Sequence, residues 1–347
     1  MHGACNLAAG EHAIHTDRSI PHMAQARQAL EVLLVNLGTT KTPDATGVRE
    51  FLAEFLADPM VVDWPRFLWM PILRGIVLRK RPERVADLYR TIWTDEGSPL
   101  RAQSERLARR LAESLGPDAS VRAVYRYGTP SLEEELHAAA TRAKRIVAIP
   151  LFPQRTASSS GSALVELGRA ARALEIDGRV VCGELAPDDD HYIEALRDRV
   201  QSGFAELDAP PEHLLVSFHG IPARVDRAEG GTYSADCALT AAALLDALDW
   251  DPSRATLSFQ SKFGPERWLG PATADLLTEL PKRGVRRLGV VAPGFLTDGL
   301  ETLEELGVQG RESFLGAGGT ELTLIPAVAD HPALAAGLLR IVESGRA

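Results

Sequence analysis

Short, almost wholly apolar runs recur along the chain, and amphipathic stretches fill the intervals between them. Residues 31–36 (EVLLVN), 121–125 (VRAVY), 145–151 (RIVAIPL), 179–183, 214–218 (LLVSF), 255–259 and 288–292 read as strands buried on both faces. Several of them run out into a Gly or Pro turn, as at Leu37-Gly38 and His219-Gly220. Between them, residues 99–115, 131–143 and 271–280 carry the 3.6-residue period of helices packed by one face. Strands alternating with helices predict βαβ units and parallel sheets. Right-handed crossovers then gather the carboxyl ends of the strands on one edge, where ligands of such sheets bind.

The pattern also repeats. Residues 130–152 (PSLEEELHAAATRAKRIVAIPLF) resemble residues 271–295: a Pro-started helix, a basic turn, an apolar strand and a Pro-x-Phe exit. The expected fold is therefore α/β, two doubly wound Rossmann-like parallel-sheet domains facing a cleft. Residues 30–175 with 325–347 are expected to form the first domain and residues 176–324 the second. Residues 1–29 are expected to be a flexible lead-in, because they lack the continuous apolar core of a signal peptide. A length of 347 residues suits this two-domain division.

Residues 60–81 (MVVDWPRFLWMPILRGIVLRKR) form the greasiest stretch, but Asp63, Pro65, Arg66, Pro71 and Arg74 interrupt it. It cannot span a bilayer. Two readings stay open: a buried helical hairpin, or an apolar lip that covers a greasy ligand or touches a membrane surface.

The net charge of −9 argues against a general nucleic-acid partner and leaves any anionic ligand to local Arg or Lys. Cysteines stand at positions 5, 182 and 237, with no C-x-x-C spacing, which fits a reducing compartment and opposes a four-cysteine metal or iron–sulfur site. No Gly-x-Gly-x-x-Gly, phosphate-binding Gly-x-x-x-x-Gly-Lys or Gly-x-Ser-x-Gly motif occurs, so dinucleotide, ATP and acyl-transfer chemistry are unsupported. The run RTASSSGSA could open a helix around an anion, or simply cap it.

Two features could carry chemistry. His219 sits where a buried strand ends, either as a reactive imidazole or as a ring that merely bonds a loop carbonyl. After the last predicted strand, Asp298, Glu301 and Glu305 fall at i, i+3 and i+7, one face of an α-helix. Three like charges on a stripe are either a solvated face or a row of hard oxygen ligands for a divalent cation.

Taken together, LLVNLGTT, GSPL, YRYGTPSLEEE, LFPQRTASSSG, VSFHGIP, SFQSKFGPERWLGP and PGFLTDGLETLEELGVQGRESFLGAGG resemble the ferrochelatase family, in its proteobacterial, cluster-free form. The resemblance runs from residue 33 to about residue 332. It implies insertion of ferrous iron into protoporphyrin IX with release of two protons, giving protohaem in haem biosynthesis. Coproporphyrin III is the alternative substrate, and a non-catalytic porphyrin or haem carrier the alternative class.

The family's motif histidine and glutamate fall on His219 and Glu301, expected to be both catalytic and metal-binding. Asp298 and Glu305 fall on its metal path, and Arg81, Ser98, Arg126, Tyr127 and Trp268 on its porphyrin contacts. Gly299 stands where many relatives have a second histidine, Phe152 where several have tyrosine, and Ala157 where several have cysteine. No tightly bound cofactor is expected: Fe(2+) is substrate, and no cysteine follows Cys237 to hold an iron–sulfur cluster. The chain is expected to be a cytoplasmic monomer, peripheral at most to the inner membrane.

Overall fold

The computed structural model describes residues 30–345; the lead-in expected over residues 1–29 lies outside them. Among the described residues, eight strands form two four-stranded sheets. The first contains β1 (Leu30–Gly38), β2 (Ala119–Tyr127), β3 (Arg145–Pro150) and β4 (Val180–Cys182) in the order β2-β1-β3-β4. The second contains β5 (His213–His219), β6 (Ala255–Gln260), β7 (Arg287–Val291) and β8 (Glu321–Leu324) in the order β6-β5-β7-β8. Every pairing is parallel. The apolar runs are the strands because burial on both faces leaves no polar alternation: Val32, Leu33, Leu34, Leu214 and Leu215 are fully buried.

The identical strand order gives the faint repeat a physical basis. In the first half the Tyr125 amide donates to the Pro130 carbonyl at 3.0 Å; in the second the Phe259 amide donates to the Pro271 carbonyl at 2.9 Å. The following helices, Leu132–Arg142 and Thr273–Lys282, feed β3 and β7. Beyond each of those strands comes a π-helical stretch, Ala157–Gly161 in one half and Leu300–Gly310 in the other. Superposing the two Pro bridges sets Leu37 of β1 against His219 of β5 and Arg126 against Gln260.

One boundary is corrected. The strand at 180–182, assigned by sequence to the second domain, pairs with β3 in the first sheet. The first sheet thus extends to Cys182. The closing helix Pro332–Ser344 packs on the helices Asp190–Ala205 and Pro99–Leu115, so one continuous core joins the two sheets. Polar side chains tie the halves as well: Asn36 Nδ2 donates to Thr297 Oγ1 at 3.0 Å, and Gln154 Nε2 to Thr240 Oγ1 at 2.8 Å.

The stretch at 60–81 is not a buried hairpin. It forms a helix, Arg66–Ile72, a π-helical turn, Leu73–Val77, and the start of a second helix, Leu78–Ile92. Trp64, Phe67, Leu68 and Ile76 stay exposed, Phe67 to 78%. That is an apolar lip. Among the described residues no helix is long and apolar enough to cross a membrane.

Candidate active site

β5 carries His219 to the carboxyl edge of the second sheet, beside Gln260 of β6. The chain turns at once, and only glycine fits at 220: a Cβ there would lie 2.8 Å from the Gln260 carbonyl oxygen and 3.0 Å from the Trp268 ring. The same device closes β1, where Gly38 has φ +115° and a Cβ would meet the Tyr127 carbonyl oxygen. His219 Nδ1 is 2.7 Å from the Gly220 carbonyl oxygen. A carbonyl can only accept, so Nδ1 carries the proton and Nε2 keeps its lone pair. The bland reading of His219 is therefore right for one nitrogen, and that bond readies the other to take a proton or a cation. The Tyr233 hydroxyl donates to the His219 carbonyl at 2.6 Å, and the Phe295 ring lies 6.3 Å from the imidazole, centre to centre.

Glu301 reaches the same place from the first turn of the π-helical segment Leu300–Gly310. Burial pushes its carboxyl above the ordinary glutamate value. The Glu305 charge adds to that rise, while His219 and the residue's own backbone amide pull against it. Tyr89, on the helix Leu78–Ile92, closes another side; burial, and then the Glu301 charge, push its phenol up. The structure thus brings His219, Glu301, Glu305 and Tyr89 within electrostatic reach. Tyr89 had no signal in the sequence, since a lone aromatic at helical spacing reads as core. Among the described residues, no three His, Cys, Asp or Glu side chains group closely enough to hold a metal ion.

The acidic stripe is shorter than the sequence predicts. The segment is π-helical over all eleven residues, with i→i+5 bonding, and its N-cap is Gly299. Asp298 therefore precedes the helix. Its buried carboxylate is filled by Gln103 Nε2 at 3.0 Å, Thr302 Oγ1 at 2.9 Å and the Ala327 amide at 3.4 Å. Its own amide donates to Gln103 Oε1 at 2.6 Å. Asp298 is a joint between the halves, not a free oxygen ligand. Glu305 stays beside Glu301, with both oxygens held by Ser261, from its amide at 2.7 Å and its hydroxyl at 2.5 Å. Glu304 points inward, where Gln309 Nε2 donates to its carboxylate at 2.7 Å.

The residues expected at a porphyrin divide into two groups. Trp268 packs against Gly220, and its buried indole N–H has no partner. Arg81 lies over the Phe263 ring at 5.1 Å, so the lip meets the exposed loop that leads to Trp268. The other three face the interior. Tyr127 is 1% exposed, with its hydroxyl donating to Asp58 at 2.8 Å, so it offers no aromatic wall. Arg126 donates to Asp58 at 2.6 Å and to Ser162 at 2.8 Å. Ser98 is buried and pairs with Thr39 at 2.9 Å. For the two β2 residues the physical reason is Asp58, whose carboxylate accepts from both side chains and draws them inward.

The serine-rich run is likewise satisfied from within. The Ala157 amide donates to Glu229 at 3.1 Å, and Ser162 donates to Asp58 at 2.8 Å. Asp58 roots the lip. Burial pushes its carboxyl up, but the Met60 amide, the Ser162 and Tyr127 hydroxyls and the Arg126 charge together outweigh that and hold it below the ordinary value. Its stabilising effect is therefore present above the ordinary carboxylate range and is lost as pH falls through the depressed value. Asp58→Ala is expected to cost about 3 kcal/mol, because Arg126 and two hydroxyls lose their shared acceptor. Urea unfolding at pH 7 checks this, and a loss under about 1 kcal/mol would deny the anchor.

Comparisons with known proteins bear on the family and the fold. The sequence model of the Ferrochelatase family matches residues 30–346. The chain is 42% identical over 312 residues to the ferrochelatase of Enterobacter sp. (strain 638), covering 89% of this chain and 96% of that one. It is 40% identical over 326 residues to the ferrochelatase of Neisseria gonorrhoeae, covering 94% and 96%. Among solved structures, SirB from Bacillus subtilis with Fe3+ superposes with a TM-score of 0.51 at 12% identity, over 91% of this chain and 95% of that one. That likeness concerns the fold: two parallel sheets with helices around them. Matched by the family's sequence model and closely similar to curated relatives along nearly its whole length, the chain belongs to the ferrochelatase family.

Proposed function

We propose that this chain inserts ferrous iron into protoporphyrin IX, with His219 and Glu301 as the reacting pair. The observation that carries the reading is the juxtaposition at one sheet edge of an imidazole whose Nε2 is left as an acceptor and a carboxyl raised above its ordinary value. Fe(2+) replaces two pyrrole N–H protons, so the metal gained and the protons lost balance in charge. Neutral His219 accepts a proton through Nε2, the nitrogen that the Gly220 carbonyl leaves free. An imidazole with one carboxylate is also an open ligand set, able to hold ferrous iron and release it. Trp268 supplies an apolar wall beside His219, and a cleft shaped to a bent ring favours the geometry near the transition state over the flat substrate.

The exposed lip supports protoporphyrin IX over coproporphyrin III. Phe67, Leu68, Ile76 and Phe263 present greasy surface, which suits the vinyl edge of the ring better than two further carboxylates. The same patch would touch a membrane surface, with the chain acting as a cytoplasmic monomer.

Anaerobic addition of Fe(2+) or Zn(2+) to protoporphyrin IX, followed by absorbance, tests the activity. Many turnovers per chain are expected, whereas binding that stops at one porphyrin per chain would identify a carrier. With coproporphyrin III, kcat/KM is expected to fall roughly tenfold or more, as unpaired carboxylates are driven against the lip. A higher value for coproporphyrin III would reverse the substrate assignment.

A further inference from the structure

We propose that Gln260 and Ser261 are positioning residues that together lock the π-helical segment Leu300–Gly310 in the rotation that holds Glu301 against His219. The proposal rests on the reading of His219 and Glu301 as the reacting pair. Gln260 ends β6 in register with His219, and its carbonyl accepts from the Gly220 amide at 2.8 Å, fixing the turn whose carbonyl orients the imidazole. Its side chain reaches the π-helical segment. Gln260 Nε2 donates to the Glu301 carbonyl at 2.6 Å, and Ser217 Oγ donates to Gln260 Oε1 at 2.8 Å, which fixes the amide's orientation. Ser217 is tied in turn to Thr273, and Thr273 to Ser258, through buried hydroxyls, each link 2.8 Å. One buried residue, 2% exposed, therefore braces both reacting groups.

Ser261 supplies the second grip. It has φ +61°, a left-handed conformation that costs a non-glycine residue free energy and persists where surrounding structure demands it. In that conformation its amide and hydroxyl both face the Glu305 carboxylate. Glu301 and Glu305 lie about one turn apart in an i→i+5 helix. Held at the Glu301 carbonyl and at the Glu305 carboxylate, the segment can neither rotate nor slide relative to β6. Glu305 then acts as the handle by which the helix is held.

Ser261→Ala in the full-length chain tests this, because it removes one donor while leaving the Glu305 carboxylate in place. Turnover is counted per porphyrin-binding site by fluorescence titration, so that unfolded protein drops out. We expect kcat to fall roughly tenfold while the porphyrin KM stays within about twofold, as befits a misplaced reacting group. Glu305→Gln combined with Ser261→Ala should lose no more than the worse single variant, since both cut one contact. A kcat for Ser261→Ala within about threefold of the parent, or losses that multiply in the double variant, would overturn the clamp. His219→Ala, measured alongside, separates the two readings: turnover surviving there refutes the reacting pair, whereas a dead His219→Ala with a normal Ser261→Ala refutes only the clamp.

Discussion

His219→Ala is expected to abolish metal insertion while leaving the porphyrin bound. The substitution removes the one acceptor nitrogen that the Gly220 carbonyl prepares at the edge of β5. It takes away little packing, since the ring is half-buried and its backbone is held independently by the Tyr233 hydroxyl. Loss of a positioned base costs roughly two to four orders of magnitude in rate, and loss of a metal ligand adds to that. Porphyrin affinity, read from fluorescence quenching, should stay near that of the parent because Trp268 and the lip are unaltered. Turnover within about tenfold of the parent would take His219 out of the chemistry.

Glu301→Gln is expected to lose activity and gain stability. The activity loss should reach roughly a hundredfold or more, since the amide neither carries negative charge to a cation nor takes a proton. Stability moves the other way because the folded carboxyl is held above its unfolded value, chiefly by burial, with Glu305 adding to it. Such a group binds more protons folded than unfolded, so its ionisation destabilises the fold as pH rises from the ordinary glutamate value through the raised one. Below that window the parent and the variant should melt alike. Above it the variant should melt higher, with the gap widening until the raised value is passed. Thermal unfolding at pH 4.5, 6 and 8 shows the trend, and a variant that melts lower than the parent at pH 8 would refute the assignment. The acid is thus held at some cost to the fold, as reactive groups commonly are.

Much of this arrangement can be read before any coordinates. Seven of the strands declare themselves as short apolar runs, most plainly β1, β3 and β5, which are buried on both faces. β8 does not, being four residues of E-L-T-L at the edge of its sheet, too short for any period to register. His219 is legible as the ionisable residue at a strand exit. The π-helical winding is not, since Leu300, Leu303 and Leu306 sit at spacings that also suit an α-helix. With the winding goes the stripe: Asp298 falls outside the helix and becomes a joint to Gln103. Tyr127 and Arg126 illustrate a second blind spot. Their types fit a porphyrin wall, but both are drawn to Asp58, sixty-eight residues away from Arg126 in sequence. The grip of Gln260 and Ser261 was hidden for a similar reason, as neither residue type announces a hydrogen bond to a helix that begins forty residues later.

The twofold likeness of the halves has an evolutionary corollary. Each offers the same frame: a strand exit closed by a glycine, a neighbouring strand tied to a proline, and a widened helical turn after the next strand. In the first half leucine occupies the histidine's berth, serines replace the acids, and the arginine in the berth of Gln260 is spent on Asp58. Such likeness is what the copying of one ancestral unit would leave, with the second half presenting His219 and Glu301 and the first mounting the lip.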